Sequence, residues 1–300
     1  MNREQFHAWA AGGLRILDGA MGSNLRAMGM KNNDCSELWA EAHPDLVEDL
    51  LRRYVDAGSE LIYAPTFLAQ PKALQAFGRE TDTEALNCSL AKLARRAADG
   101  RALVAGDLAS MAATVESWDE ENFEDMVEDY RRQIRGLVDG GVDLLVAETL
   151  LYPTEAEAVF AAAELEKAPA VLYSFTMQPD GSLFSGRDAL PILKNLEDMG
   201  AAAVGLNCVP ASHLLPATVA RFRRVIRGPL SVKPNAGDPV IGPDKLAHYP
   251  MGPEEFASIA RECLDLGANL LGGCCGTNPD FIRELVRVLK APYPPNPTKP

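Results

Sequence analysis

The feature that most constrains the fold is an alternation of two hydrophobic patterns, repeated eight times along the chain. Short, continuous apolar runs occupy 14–20, 61–67, 102–108, 143–150, 170–177, 202–209, 230–237 and 268–275. Such runs suit strands buried on both faces, as in a parallel sheet. Each is followed by a stretch with apolar residues three and four apart, at 45–58, 81–99, 122–141, 153–166, 188–198, 212–226, 253–267 and 279–289. That spacing predicts amphipathic helices. The first stops at Gly58, and Thr81 stands three residues before Glu84, a capping-box spacing. Eight β–α units in 300 residues predict an α/β fold, a single (β/α)8 TIM barrel spanning 1–300. The runner-up, a doubly wound open sheet, would want a GxGxxG phosphate loop, and "GGLRILDGAMG" is not one. The Pro-rich segment from about 291, "APYPPNPTKP", cannot continue a helix and is expected to form a tail.

Composition narrows the function. A hydrophobic content of 47% is ample for a large core. The net charge is −13 with no basic stripe, so no nucleic-acid partner is expected. No uninterrupted apolar stretch is long enough to span a membrane, and "MNREQFHAWAAGGL" lacks a secretory pattern. Six cysteines are too few for a disulfide scaffold of this length, so a cytoplasmic protein with reduced thiols is expected.

In such a barrel the residues that close the strands lie at the C-terminal rim, where these folds keep their active sites. Here they are Asp18, Thr66, Asp107, Glu148, Thr176, Asn207, Cys208, Asn235, Cys274 and Cys275. Cys35, Cys88 and Cys263 fall on a loop or in helical patterns and read as small core residues. Cys208 and the Cys274–Cys275 pair instead cap the sixth and eighth strands, which flank the seventh and can converge. Neighbouring cysteines rarely bridge each other, because their Cβ vectors diverge. The glycines around the pair let the backbone bend until both side chains reach one ion. Three thiolates suit one Zn²⁺ with sulfur at about 2.3 Å and a fourth position open, the mark of a catalytic site. His7, His43, His213 and His248 are not at strand tips. An open zinc of this kind would bind a substrate thiol as its fourth sulfur and deprotonate it, which favours attack by sulfur over activation of water.

The motifs "ILDGAMGS" (16–23), "VAETL" (146–150), "GLNCV" (205–209), "KPNAG" (233–237) and "GGCCGT" (272–277) occur in the order seen in the homocysteine S-methyltransferases. From about residue 12 to 290 the chain resembles that family. The resemblance implies a (β/α)8 barrel that methylates homocysteine to methionine, with Cys208, Cys274 and Cys275 as the catalytic zinc ligands. It implies that Asp18 and Glu148 hold the substrate's α-amino group, and that the backbone at Gly19 and Ala20 receives its carboxylate. Asn207, Asn235 and Thr66 are expected to support the substrate at the rim. No D-x-H-x-x-G corrinoid signature is present and no donor module fits after residue 290. The expected donor is therefore a small methyl-onium compound or methylcobalamin on a separate corrinoid protein. Two departures stand out. Ala64 and Pro65 precede Thr66 where many relatives carry a small polar residue, and Asp107 stands where a small residue is expected. Asp107 reads either as an attractor of a cationic donor or as a solvated loop acid.

Other readings use the same residues. Lys233, on the seventh strand, could form a Schiff base as in aldolases, which leaves the three cysteines unexplained. The barrel could also bind zinc or a thiol without catalysis, or methylate a different thiol.

Overall fold

The computed structural model describes residues 1–111, 120–243 and 245–290; the Pro-rich tail expected from about 291 lies outside them. The strands are β1 (Arg15–Ile16), β2 (Leu61–Tyr63), β3 (Leu103–Ala109), β4 (Leu144–Leu150), β5 (Val171–Phe175), β6 (Ala203–Pro210), β7 (Leu230–Asn235), β8 (Val240–Ile241), β9 (Ala247–His248) and β10 (Leu270–Leu271). All but β8 and β9 form one eight-stranded sheet in the order β1-β10-β7-β6-β5-β4-β3-β2, parallel throughout. A parallel bridge from Leu17 to Leu61 joins the two outer strands and closes the sheet into a (β/α)8 barrel.

The helices are α1 (Arg3–Ala10), α2 (Gly22–Ala27), α3 (Ser36–Ala42), α4 (Pro44–Ala57), α5 (Pro71–Gln75), α6 (Thr83–Ala98), α7 (Glu120–Asp139), α8 (Pro153–Leu165), α9 (Ala189–Met199), α10 (Leu215–Arg223), α11 (Pro253–Asp265) and α12 (Pro279–Leu289). The eight expected from the sequence are α4 and α6 to α12. The capping box at Thr81 does not form. Residues 80–82 make a 3₁₀ turn, α6 starts at Thr83 without a side-chain cap, and Glu84 binds Arg132 instead, with both contacts at 2.8 Å. The guanidinium fork outcompetes a lone backbone N–H for the carboxylate.

β1 and β10 are much shorter than the apolar runs that contain them. Their later residues leave the ladder to build the rim: Gly273 N–H donates to the Asp18 carbonyl at 2.9 Å and Cys274 N–H to the Pro234 carbonyl at 2.7 Å. At the opposite end α1, which the sequence reading did not anticipate, seals the barrel. Phe6 and Ala10 pack among Leu17, Leu61, Ala105, Leu144, Val146 and Leu172 inside it. His7 Nε2 donates to the Ala202 carbonyl at 2.9 Å. Burying Phe6 alone contributes about 2–3 kcal/mol. No helix among the described residues is long and apolar enough to cross a membrane.

Candidate active site

Asn207 is fully buried on β6, and its amide reaches β4 and β5. It accepts from Thr149 N–H at 2.9 Å and from Ser174 Oγ–H at 2.8 Å, and donates to Thr149 Oγ1 at 2.7 Å. In an unbroken strand the next residue, Cys208, would face the opposite side. A register shift between Asn207 and Pro210 and a left-handed φ of +56° at Cys208 turn it instead toward the eighth barrel strand. Bulges re-aim side chains in this way. β4 carries a matching break between Ala147 and Leu150, with Thr149 at φ +57°. Left-handed backbone at non-glycine residues costs about 1–3 kcal/mol each and persists only where surroundings enforce it. Asn207 supplies that enforcement by tying the two breaks together.

The tip of β7 ties down the other cysteines. Asn235 Nδ2–H donates to the Cys208 carbonyl at 3.1 Å, and Ala236 N–H to the Cys275 carbonyl at 2.9 Å. Thr277 Oγ1–H donates to the Cys274 carbonyl at 2.8 Å. Gly276 sits at φ +82°, and a Cβ there would lie 2.3 Å from the Tyr249 ring, so only glycine lets the chain leave the cysteine pair. The three Sγ atoms lie within 4.8 Å of one another, and Cys208 and Cys275 are 3.7 Å apart. Sulfurs at about 2.3 Å from a tetrahedral zinc are separated by about 3.8 Å, so the trio fits the ion. No histidine or carboxylate joins the cluster among the described residues. Hydrogen bonds from Cys208 and Cys274, joined by the Tyr249 hydroxyl, draw the Cys275 thiol down to about 3. Asn207 Nδ2 lies 3.9 Å from Cys274 Sγ. The same contacts leave the Cys208 and Cys274 thiols shifted upward, so in the metal-free trio the negative charge gathers on Cys275.

Next to the cysteines lies a buried charged floor, since Lys233 pairs in register with Asn207. Asp18 accepts from Lys233 Nζ and from Tyr63 N–H, each at 2.7 Å, and the same Nζ sits 3.5 Å above the Tyr63 ring. Burial favours the neutral amine, but Asp18 outweighs it and holds Lys233 protonated. The Asp18 ion pair occupies this amine, and a Schiff base there would leave the three cysteines without a role. Glu148 is buried, its Oε2 has no hydrogen-bond partner, and burial pushes it up to about 7. Asp107 is not a solvated loop acid: it too is buried, with Oδ1 unpartnered, and burial together with Glu148 raises it well above the carboxylate range. Of the other expected residues, Thr66 spends its hydroxyl on the Asp107 backbone, donating at 2.9 Å and accepting at 3.1 Å. The Ala20 amide donates to Thr277 Oγ1 at 3.1 Å. Asn235 keeps its Oδ1 free.

Three contributors escaped the sequence reading. Thr149 and Ser174 were readable only as polar positions inside apolar runs, and Tyr249 lies in a loop with no distinguishing pattern.

A family model described as homocysteine S-methyltransferase matches residues 15–289. Homocysteine S-methyltransferase 1 of Zea mays is 30% identical over 313 residues, covering 93% of this chain and 95% of the maize protein. A methionine synthase of Mycobacterium leprae is 29% identical over 288 residues, or 90% of this chain, and the chain spans 24% of that protein's length. The metallated form of the homocysteine methyltransferase MmuM from Escherichia coli superposes with a TM-score of 0.77 at 25% identity, covering 91% of this chain and 95% of that one.

Proposed function

Because the chain belongs to the homocysteine S-methyltransferase family, we propose that it methylates the thiol of homocysteine to methionine at a zinc ion held by Cys208, Cys274 and Cys275. The observation that carries this reading is the convergence of three sulfurs at tetrahedral spacing, with Cys208 and Cys275 3.7 Å apart. Zinc held by these three cysteines would supply Lewis-acid chemistry, lowering the pKa of a thiol brought to it so that a thiolate would be available at neutral pH.

The protein's own residues do the positioning. Glu148 offers its unpartnered Oε2 to the substrate's ammonium. Asp18, the other carboxylate expected at this ammonium, acts beside it while accepting from Lys233 and the Tyr63 amide, which fixes the shape of the floor. The carboxylate falls to the turn at Gly19 and Ala20, with the Gly19 amide as donor because Ala20's is engaged. Asn207, Asn235 and Thr66 brace the groups that make these contacts. The substrate sulfur then attacks the donor's methyl carbon in line. The new C–S bond forms as the donor's methyl bond breaks, and that electron pair leaves with the donor. No general base among the protein's residues is assigned, since a thiol with its pKa lowered in this way would release its proton to solvent. The donor is a small methyl-onium compound or methylcobalamin on a separate corrinoid protein. Three metal-binding thiolates need reduced cysteines, which suits a cytoplasmic location.

The test loads the purified chain with zinc and supplies L-homocysteine with S-methylmethionine, betaine or methylcobalamin in turn. Methionine from one donor is expected, and Cys208→Ser is expected to lose both zinc and product. Zinc-loaded protein that makes no methionine from any of the three, nor from an added methyl-corrinoid protein, contradicts the reading.

A further inference from the structure

Asp107 is a buried acid at the rim that the methyl-transfer chemistry above leaves without a role. Its place in the barrel is fixed by register. Ala105 and Val146 both pack inside the barrel. Asp107 lies two residues beyond Ala105 and pairs with Val146, so it faces the same interior. Glu148 lies two residues beyond Val146 on the neighbouring strand and faces that interior as well. Both carboxyls are more than nine-tenths buried, at 6% and 7% exposure. Each has one oxygen, Asp107 Oδ1 and Glu148 Oε2, with no hydrogen-bond partner. Braces hold the Asp107 backbone: Thr66 on its N–H and carbonyl, and Gln133 Nε2 on the same carbonyl at 3.2 Å. The floor's cation, Lys233, is already bound to Asp18.

We propose that Asp107 is a further substrate-binding residue, forming with Glu148 a two-carboxylate seat for the α-ammonium of the acceptor amino acid. The seat rests on the thiol-methylating reading and deepens it. Two buried carboxyls that face one space, whose nearest cation Lys233 is already paired with Asp18, repel when ionised and stay desolvated at a cost. A ligand that brings positive charge relieves both penalties. A primary ammonium brings three N–H donors as well, and so satisfies both open oxygens. The onium centre of a sulfonium or quaternary ammonium donor has no N–H and leaves both unsatisfied. Asp107 thus suits the amino end of the acceptor rather than the onium centre of a methyl donor.

The experiment is calorimetric binding to the zinc-loaded full chain of L-homocysteine and of 4-mercaptobutyrate, the same thiol without the amine. Wild-type protein is expected to prefer homocysteine by about thirtyfold or more, the scale of a buried charged hydrogen bond. Asp107→Asn is expected to lose most of that preference while 4-mercaptobutyrate binds as before, which shows that the fold and metal are intact. If Asp107→Asn fails to load zinc, Asp107→Ser serves in its place. Full preference retained in the variant, or equal binding of both thiols by the wild type, overturns the seat. Zinc-loaded wild type that binds neither thiol overturns the thiol reading itself, and the seat with it.

Discussion

Asn207 carries the difference between an ordinary strand end and a convergence of three cysteines. Its amide meets Thr149 and Ser174 and approaches Cys274 Sγ, so one side chain holds two left-handed bulges in place and faces one sulfur of the trio. Asn207→Ala is expected to keep the fold but weaken zinc binding about 10- to 100-fold, the usual loss when a group that orients a ligand is removed. Competition with a chelating dye measures it, and unchanged affinity would contradict the role. The cysteines themselves were legible in the sequence, because reactive residues at the ends of apolar runs are out of place. Their route to one point was not. Period-two alternation turns Cys208 away from Asn207's side, and nothing in "GLNCV" announces a positive φ. The burial of Asp107 was hidden for a related reason: a carboxylate closing a strand reads the same whether water or a neighbouring strand covers it.

At the scale of elements, the seam between β1 and β2 is where the barrel closes, and Glu60 holds it. Its carboxylate accepts from Ile16 N–H at 3.1 Å and pairs with Arg15 at 2.9 Å and Lys290 at 3.1 Å. Burial alone would raise this carboxyl, but Ile16, Arg15 and Lys290 together hold it below its usual value. A carboxyl lowered by folding contributes stability above its unfolded pKa, and that contribution is lost as the pH falls through the folded value. Glu60→Gln is therefore expected to cost about 1 kcal/mol at neutral pH, the pairs being partly screened by solvent. The cost should vanish in acid, and urea melts at both pH values check it; a loss of equal size in acid would contradict the assignment. The eight long helices and the strand order were legible because their periods are strong. α1 was not, since a helix this short buries only Phe6 and Ala10. The β8–β9 hairpin also escaped notice: its residues are exposed and give no apolar alternation.

At the scale of the whole molecule, the barrel gathers residues far apart in sequence onto one mouth. Asp18, Asp107, Glu148, Cys208, Lys233 and the Cys274–Cys275 pair come from six strands or their tips and share one space. α1 seals the other end, so substrate reaches the cysteines from the rim. The central claim is that three thiolates hold a zinc whose open position accepts the sulfur of homocysteine. X-ray absorption at the zinc edge, recorded with and without L-homocysteine, tests it most directly. The expected result is three sulfurs and one lighter atom without substrate, and four sulfurs at about 2.3 Å with it. A sulfur count that does not change when homocysteine binds, or a folded and reduced protein that takes up no zinc, would contradict the account.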